Sequence, residues 1–313
     1  MASLVSLHPL GVHSPRLKAA RRLTKRAFRQ RERAFLAEGP QAVAEAIRHG
    51  AQVSELFVTV PARSRHHDLI AGVADAGIPV HVVSGEVMGE LAQTVTPQGL
   101  LAVCGFVDVP LAEAVTSATR LAVLLANVRD PGNAGTVLRT ADAAGAQAVV
   151  FADASVDPYN GKCVRASAGS LFHLPVVAGA SMHDAAAAMR QAGLRIIAAD
   201  GRSGRCLDDP DVQARLDEPT AWMFGNEAWG LTADLAALAD EAIAVPIYGQ
   251  AESLNLAAAA AVCLYASARA QRVHRVTKYA GTQVPADGIE YAGYHIENSG
   301  SQDCHNDGLG ARV

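Results

Sequence analysis

Three separated stretches of the chain combine small, turn-forming residues with side chains able to do polar chemistry. In the first, NVRDPGNAGTVLRTADAAG (127–145), an apolar run from Leu121 to Val128 gives way to Asp130-Pro131-Gly132-Asn133, and Val137, Leu138 and Ala141 then recur at helical spacing. The pattern is strand, polar loop, helix. A loop at the carboxyl end of a strand is where an α/β sheet usually places ligands, and this one carries Asn133 and Arg139. Their spacing of six residues, nearly two turns, is taken to let both look toward one region. Arginine is a permanent cation, so the chemistry it offers is charge and alignment. The same residues also suit a plain helix, with Asn133 as a cap and Arg139 on a solvated face.

Two later stretches repeat this architecture. FGNEAWGL (224–231) follows the apolar run Ala221 to Phe224, and IYGQAESLNLAAAAAVCLY (247–265) follows Ile243 to Ile247. Three strand-to-loop corners, each rich in glycine and polar side chains, point to one composite site. These segments closely resemble the three sequence motifs of the SpoU or TrmH family of RNA 2′-O-ribose methyltransferases, within the SPOUT superfamily; the wider resemblance runs loosely over residues 15 to 272.

The resemblance implies S-adenosylmethionine as cofactor, with Gly225, Val245 and Leu254 around its adenosyl group, and Asn133, Arg139, Glu227, Ser253 and Asn255 as the catalytic set. Glycine at 225 has a physical rationale of its own, since a missing side chain lets main chain approach a ligand; a simple chain turn would also account for it. Methyl transfer from a sulfonium needs alignment and loss of a poorly acidic proton, with no call for a metal. Arg139 would act first by electrostatic activation of the ribose hydroxyl, with base action as the alternative role. Glu227 would orient the site, or simply favour a helix N-terminus.

Charge supplies a second line of argument. The net charge is only −4, yet residues 16 to 33 hold Arg16, Lys18, Arg21, Arg22, Lys25, Arg26, Arg29, Arg31 and Arg33 against the single acid Glu32. That is a cationic helix or arm, and Arg21, Arg22, Lys25 and Arg26 are expected to contact RNA, unless the run is only a solvated face. In NGKCVRASAGSLFHLPV (160–176), Lys162 and Arg165 could project from one helical face with Ser167 and Ser170 as nearby hydroxyls, a set suited to phosphate or to an ordinary exposed surface. Aromatic residues make up only 5% of the chain, so phosphate contacts and RNA shape should outweigh base stacking.

The five cysteines, Cys104, Cys163, Cys206, Cys263 and Cys304, are scattered, without a C-x-x-C pair or a histidine at metal spacing. Reduced thiols and no metal site are expected. Neither a signal-peptide core nor a membrane span stands out, so a cytoplasmic protein is expected.

These signals set the organisation. Residues 1–15 read as a flexible leader. Residues 16–106 read as a small α/β domain: after the basic segment, Phe35, Val43, Ala46 and Ile47 share one side of a helical pattern that Gly50 can end, and strands at Val53 to Val60, Val80 to Val83 and Leu100 to Phe106 alternate with helices. The resemblance makes this an L30e-like RNA-binding domain. Residues 107–120 form a linker. Residues 121–272 form the larger domain, with strands at Leu121 to Val128, Gln147 to Ala152, Leu174 to Val177, Leu194 to Ala199, Ala221 to Phe224 and Ala242 to Ile247, which suits a mostly parallel sheet covered on both faces. The missing G-x-G-x-x-G after its first strand argues against a dinucleotide-binding oxidoreductase. The resemblance adds a deep C-terminal trefoil knot and a homodimer in which the last helix builds the interface and two protomers complete a site. Leu254, Leu256, Val262 and Leu264 could give that helix an apolar surface, as they could a core helix; Trp222 reads as core and Trp229 as a loop residue near the site or a partner subunit. Residues 273–313 read as a flexible tail. The function so reached is RNA 2′-O-ribose methylation, with ribosomal RNA as substrate, transfer RNA as the alternative, and a non-catalytic RNA-binding protein of the same fold as the rival class.

Overall fold

The computed structural model describes residues 9–152 and 154–279. The remainder of the predicted leader and residues 280–313 of the predicted tail lie outside the described residues, whereas 273–279, expected as tail, continue the last helix, which runs Leu256–Tyr279.

The first half builds a four-stranded sheet. Helices α1 (Pro15–Arg22) and α2 (Arg26–Glu32) precede β1 (Ala34–Glu38), followed by α3 (Pro40–Arg48), β2 (Val53–Thr59), α4 (Val60–Arg65), α5 (His67–Asp75), β3 (Val80–Val83), α6 (Gly85–Leu91) and β4 (Leu100–Gly105). The order is β1-β4-β2-β3, with β4 antiparallel to both neighbours and β2 parallel to β3. One expectation fails here. Phe35 lies in β1, paired with Cys104, and the helix begins only at Pro40. Gly39, at φ +97°, breaks the strand, and Pro40 supplies a first helical residue that needs no N–H partner.

The second half builds a six-stranded sheet, parallel throughout. After α7 (Leu111–Ala114) come β5 (Leu121–Leu125), α8 (Pro131–Ala144), β6 (Ala148–Ala152), α9 (Gly161–Ala166), β7 (Val176–Ala180), α10 (Met182–Gln191), β8 (Arg195–Ala199), α11 (Pro210–Gln213), β9 (Thr220–Phe224), α12 (Ala233–Ala236), β10 (Glu241–Ile243) and α13 (Leu256–Tyr279). The strand order is β10-β8-β9-β5-β6-β7. Every residue of β5, β6 and β9 is buried, as expected for parallel strands covered on both faces. Alternation sorts them: Val123, Leu125, Val149 and Trp222 face α8 and α13, whereas Ala122, Leu124, Val150 and Met223 face α10. The expected strand to Ile247 stops at Ile243, and Pro246, which lacks an N–H, cannot extend the ladder.

The two sheets share a core. Phe35 of β1 packs on Tyr159, which lies in the loop between β6 and α9 and stacks on Phe106 at a centroid distance of 3.8 Å. The buried Tyr159 hydroxyl accepts from the backbone N–H of Val107 and Asp108 and donates to Asp108 Oδ1, fixing the start of the connecting segment. Arg29 belongs to the same junction. Its guanidinium makes two bonds to Asp157 Oδ2, at 2.9 and 2.7 Å, and two more to the carbonyls of Leu23 and Thr24.

The basic segment is therefore not a uniform cationic arm. Arg29 is a buried strut, and Arg16, Arg21, Arg31 and Arg33 pair with Glu55, Glu90, Glu32 and Asp108. Removing one member of a buried pair leaves the other charge without compensation, so Arg29→Ala should lower unfolding free energy by about 3–5 kcal/mol in denaturant melts.

Candidate functional site

Because the six-stranded sheet is parallel, its loops at the carboxyl ends of β5, β8, β9 and β10 emerge on one edge. The three corners singled out in the sequence follow β5, β9 and β10, and they meet there.

The meeting is made by side chains. Glu227, in the corner after β9, accepts through Oε1 from the backbone N–H of Asp130 at 3.1 Å and from Asn133 Nδ2 at 3.3 Å, and through Oε2 from the N–H of Arg129 at 3.2 Å. Asn255, in the corner after β10, donates through Nδ2 to Asn133 Oδ1 at 3.0 Å, while its own Oδ1 accepts from the N–H of Ala257 at the start of α13. Asn133 is thus held from both sides. Asn226 adds a second tie, donating to the carbonyl of Asn127, a residue in the left-handed region at φ +58°.

Beside this network lies a cleft lined by Gly225, Glu227, Val245, Ser253 and Leu254. The sequence-based expectation named each of these. It missed Ala199, Asp200 and Gly201, which line the same cleft from the end of β8. Arg202 beside Asp200 holds that carboxyl below the usual carboxylate range. The signal that could have found them was the apolar strand Leu194 to Ala199 running into Asp-Gly, a fourth corner of the same kind.

Gly225 also has a packing reason to lack a side chain, in keeping with the chain-turn alternative. A Cβ there would lie 2.5 Å from the backbone carbon of Gly230, so the absent side chain admits the chain's own return and not only a ligand.

Arg139 stands apart from the network. Its side chain is exposed on α8 and makes no hydrogen bond or ion pair among the described residues. At roughly 100° per residue, six positions put its side chain about 120° around the helix from Asn133, so the two do not share a face as the spacing argument supposed.

The expected RNA contacts divide similarly. Arg22, Lys25 and Arg26 are exposed, with Arg22 over the ring of Phe28. Lys162 is exposed but binds Asp130 at 2.7 Å and holds that carboxyl below the usual range. Because the folded-state pKa is depressed, this pair contributes at neutral pH and is lost as pH falls below the ordinary carboxylate range. Asp130 also caps α8 by accepting from the N–H of Asn133. Arg165 is half-buried against Glu38 at 2.9 Å, and Arg21 is paired with Glu90. Ser167 and Ser170, expected as surface hydroxyls, are buried; the Ser167 hydroxyl donates to the carbonyl of Val164.

Trp222 is fully buried and its indole N–H donates to Ser267, whereas Trp229 is 55% exposed. Leu264 faces the core, while Leu254 and Val262 remain exposed. Cys104, Cys163 and Cys263 are buried and unbridged; burial pushes the Cys104 and Cys263 thiols up to about 12, which suits core residues and not nucleophiles. Cys304 lies outside the described residues. Among those residues no helix is long and apolar enough to cross a membrane.

Known proteins place this geometry. Residues 120–265 match the SpoU rRNA Methylase family, and residues 14–102 match the MRM3-like substrate binding domain. The 23S rRNA (guanosine(2553)-2′-O)-methyltransferase RlmP of Bacillus subtilis is 35% identical, over 80% of this chain and 94% of its own. The 23S rRNA (adenosine(1067)-2′-O)-methyltransferase of Streptomyces laurentii is 31% identical, over 76% of this chain and 86% of its own. Among solved structures, the AdoMet-bound rRNA methyltransferase of Sinorhizobium meliloti superposes with a TM-score of 0.74 at 29% identity, covering 85% of this chain and 98% of that one.

The packing at Gly225 is directly testable. Gly225→Ala should lower stability by about 1–3 kcal/mol in chemical denaturation through overpacking, whereas Gly249→Ala, with nothing within 4 Å of its added carbon, should leave it unchanged.

Proposed function

Since the chain belongs to the SpoU rRNA methylase family, we propose that it transfers a methyl group from S-adenosylmethionine to a ribose 2′-hydroxyl of ribosomal RNA. The observation that carries this reading is the Glu227–Asn133–Asn255 network, which draws three distant corners around one cleft.

The cleft suits the donor. Its lining combines glycine backbone at Gly201, Gly225 and Gly230 with apolar Val245, Leu254 and Leu256, a surface fit for an adenosyl group held by main chain and apolar contact. The bound donor supplies an activated methyl on a sulfonium. The protein supplies alignment and charge.

Glu227 has both carboxylate oxygens occupied by N–H donors, so its role is to set the shape of the first corner. Asn133 and Asn255 tie the first and third corners together next to the cleft, which Ser253 lines. Arg139, a permanent cation with its donors free, draws the ribose hydroxyl toward ionisation and holds the neighbouring phosphate. Its exposure and its distance around α8 from Asn133 favour a site that a second copy of the chain completes. The active protein in this reading is a cytoplasmic homodimer, with α13 at the interface and the segment after the last strand threaded as a trefoil knot.

The four-stranded sheet and its basic helices serve as an L30e-like unit that holds RNA. A cavity of about 380 Å³ there is lined by Arg22, Phe28, Arg33, Gln52 and Ser54, and both Arg22 and Arg31 lie over the Phe28 ring. Arg22, Lys25 and Arg26 meet phosphates directly. Lys162 does so by exchanging Asp130 for a phosphate, and Arg165 only by giving up Glu38; Arg21 must likewise leave Glu90.

The RNA and nucleotide are read by mapping 2′-O-methyl groups in cellular RNA with and without the gene: loss of one ribosomal RNA site supports the proposal, and loss of a transfer RNA site or of none overturns it. Arg139→Lys keeps the charge but loses the planar fork, so it should reduce kcat by about 10²–10³-fold while calorimetric donor affinity stays unchanged. Lys25→Ala with Arg26→Ala should weaken RNA binding and lower the slope of log affinity against log salt by about 1–2.

A further inference from the structure

A cluster of potential metal ligands lies away from the cleft, where the four-stranded sheet meets the six-stranded one. Glu45 lies on α3 and His49 is the C-cap of the same helix, one turn further on, and His173 follows the 3-10 turn Ser170–Phe172 that leads into β7. Their ligand atoms all lie within 4.8 Å of one another. Glu45 Oε2 is 3.2 Å from His173 Nε2 and 3.5 Å from His49 Nε2.

The surroundings orient these atoms. His173 Nδ1 is 2.7 Å from Asp142 Oδ2 on α8. An ionised carboxylate only accepts, so Nδ1 carries a proton, and whenever Nε2 carries none it turns a lone pair toward Glu45. Arg48 Nη1 donates to Glu45 Oε1 at 2.6 Å, leaving Oε2 for the two imidazoles. Gly169, at φ +101°, lets the turn close over α3, since a Cβ there would lie 2.6 Å from Glu45 Cγ.

With no proton on Nε2, the His173 lone pair and the Glu45 carboxylate oxygen repel one another unless a positive charge lies between them, whereas His49 can meet Glu45 either as an Nε2–H donor or, in its other tautomer, with a lone pair. A proton on one ring answers the requirement for one contact. A metal ion answers it for all three. Zinc holds nitrogen and oxygen ligands at about 2.0–2.2 Å, so tetrahedral neighbours stand about 3.3–3.6 Å apart, close to the two separations above. The second ring nitrogen bound to a carboxylate is the outer-shell arrangement that metal-bound histidine usually has.

We propose that Glu45, His49 and His173 bind a divalent transition-metal cation of the zinc type, with water as fourth ligand and with Asp142 and Arg48 as orienting residues. Bound there, the ion clamps α3, which belongs to the four-stranded sheet, against the turn before β7. It thereby fixes the RNA-holding half of the molecule on the other half, without entering methyl transfer. Sequence spacing could not show this site: Glu45 and His49 are four apart, but the third ligand is 124 positions further on.

The test uses the full chain, stripped with chelator and dialysed against zinc chloride, with bound zinc counted by elemental analysis and affinity measured by calorimetry. The expected result is one equivalent that disappears in His49→Gln and in His173→Gln, and affinity about 10–100-fold weaker in Asp142→Asn. Zinc should raise the melting temperature of the wild type and leave that of His49→Gln unchanged; the exposed position of His49 keeps the variant folded, as circular dichroism can check. The chain has eleven histidines, and an equivalent bound elsewhere would persist in both variants. No saturable zinc binding in the wild type, or unchanged stoichiometry in His49→Gln/His173→Gln, overturns the proposal.

Discussion

The carboxylate of Glu227 is the point through which the site is held together. It stands at the end of one strand and takes three N–H donors from the corner of the neighbouring strand, two of them backbone. Backbone N–H groups at the start of α8 would otherwise lack partners, as they do at any helix start. A single anion there both satisfies those donors and meets the positive end of the helix. Asn133, Asn255 and the walls of the cleft take their places from that bond set.

Such a set is possible only because of the sheet. Parallel strands deliver all their carboxyl ends to one edge, and the order β10-β8-β9-β5 makes neighbours of the strands that carry the four corners. The chain leaves β5 toward β6 and β7, then returns to the other side to lay down β8, β9 and β10. A reversal of that kind opens a crevice beside the strand where it occurs, and the Glu227 network spans the β5–β9 pair at the reversal. Burial of both sheet faces fixes the strands; the loops inherit the precision.

How far the sequence reveals this depends on the kind of signal. The strands of the larger sheet are legible because apolar runs of four to eight residues bounded by Gly, Pro and Asp have few other readings, and in the smaller sheet Val80–Val83 is legible to the residue. Phe35 is misplaced because an apolar residue ahead of a helical pattern can belong to it or to a preceding strand, and here the Gly39-Pro40 break decides for the strand. For the site, the corners are legible by composition and Gly225, Glu227, Val245, Ser253 and Leu254 do share a cleft. What composition cannot carry is partnership. Arg29 and Lys25 look alike in a basic run, yet one is buried on Asp157 and the other is exposed. Arg139 shows the same limit in phase: two residues on one helix are not two residues on one face.

The polar links between the two sheets converge on the chain from Ser155 to His173. Asp157 takes Arg29, Tyr159 takes the amides of Val107 and Asp108, Arg165 takes Glu38, the carbonyl of Ala168 takes Gln41, and His173 meets Glu45. The same segment reaches the cleft through Lys162 and Asp130, and Asp130 caps the helix that bears Asn133. A side chain that RNA pulls away from this segment therefore loosens a tie to one half of the molecule or the other. Exposed cations such as Lys25 and Arg26 carry no such obligation. In the proposed reading, affinity would rest on the free charges at little structural cost, while RNA contact at Lys162 would be coupled through Asp130 to the corner where Asn133 sits.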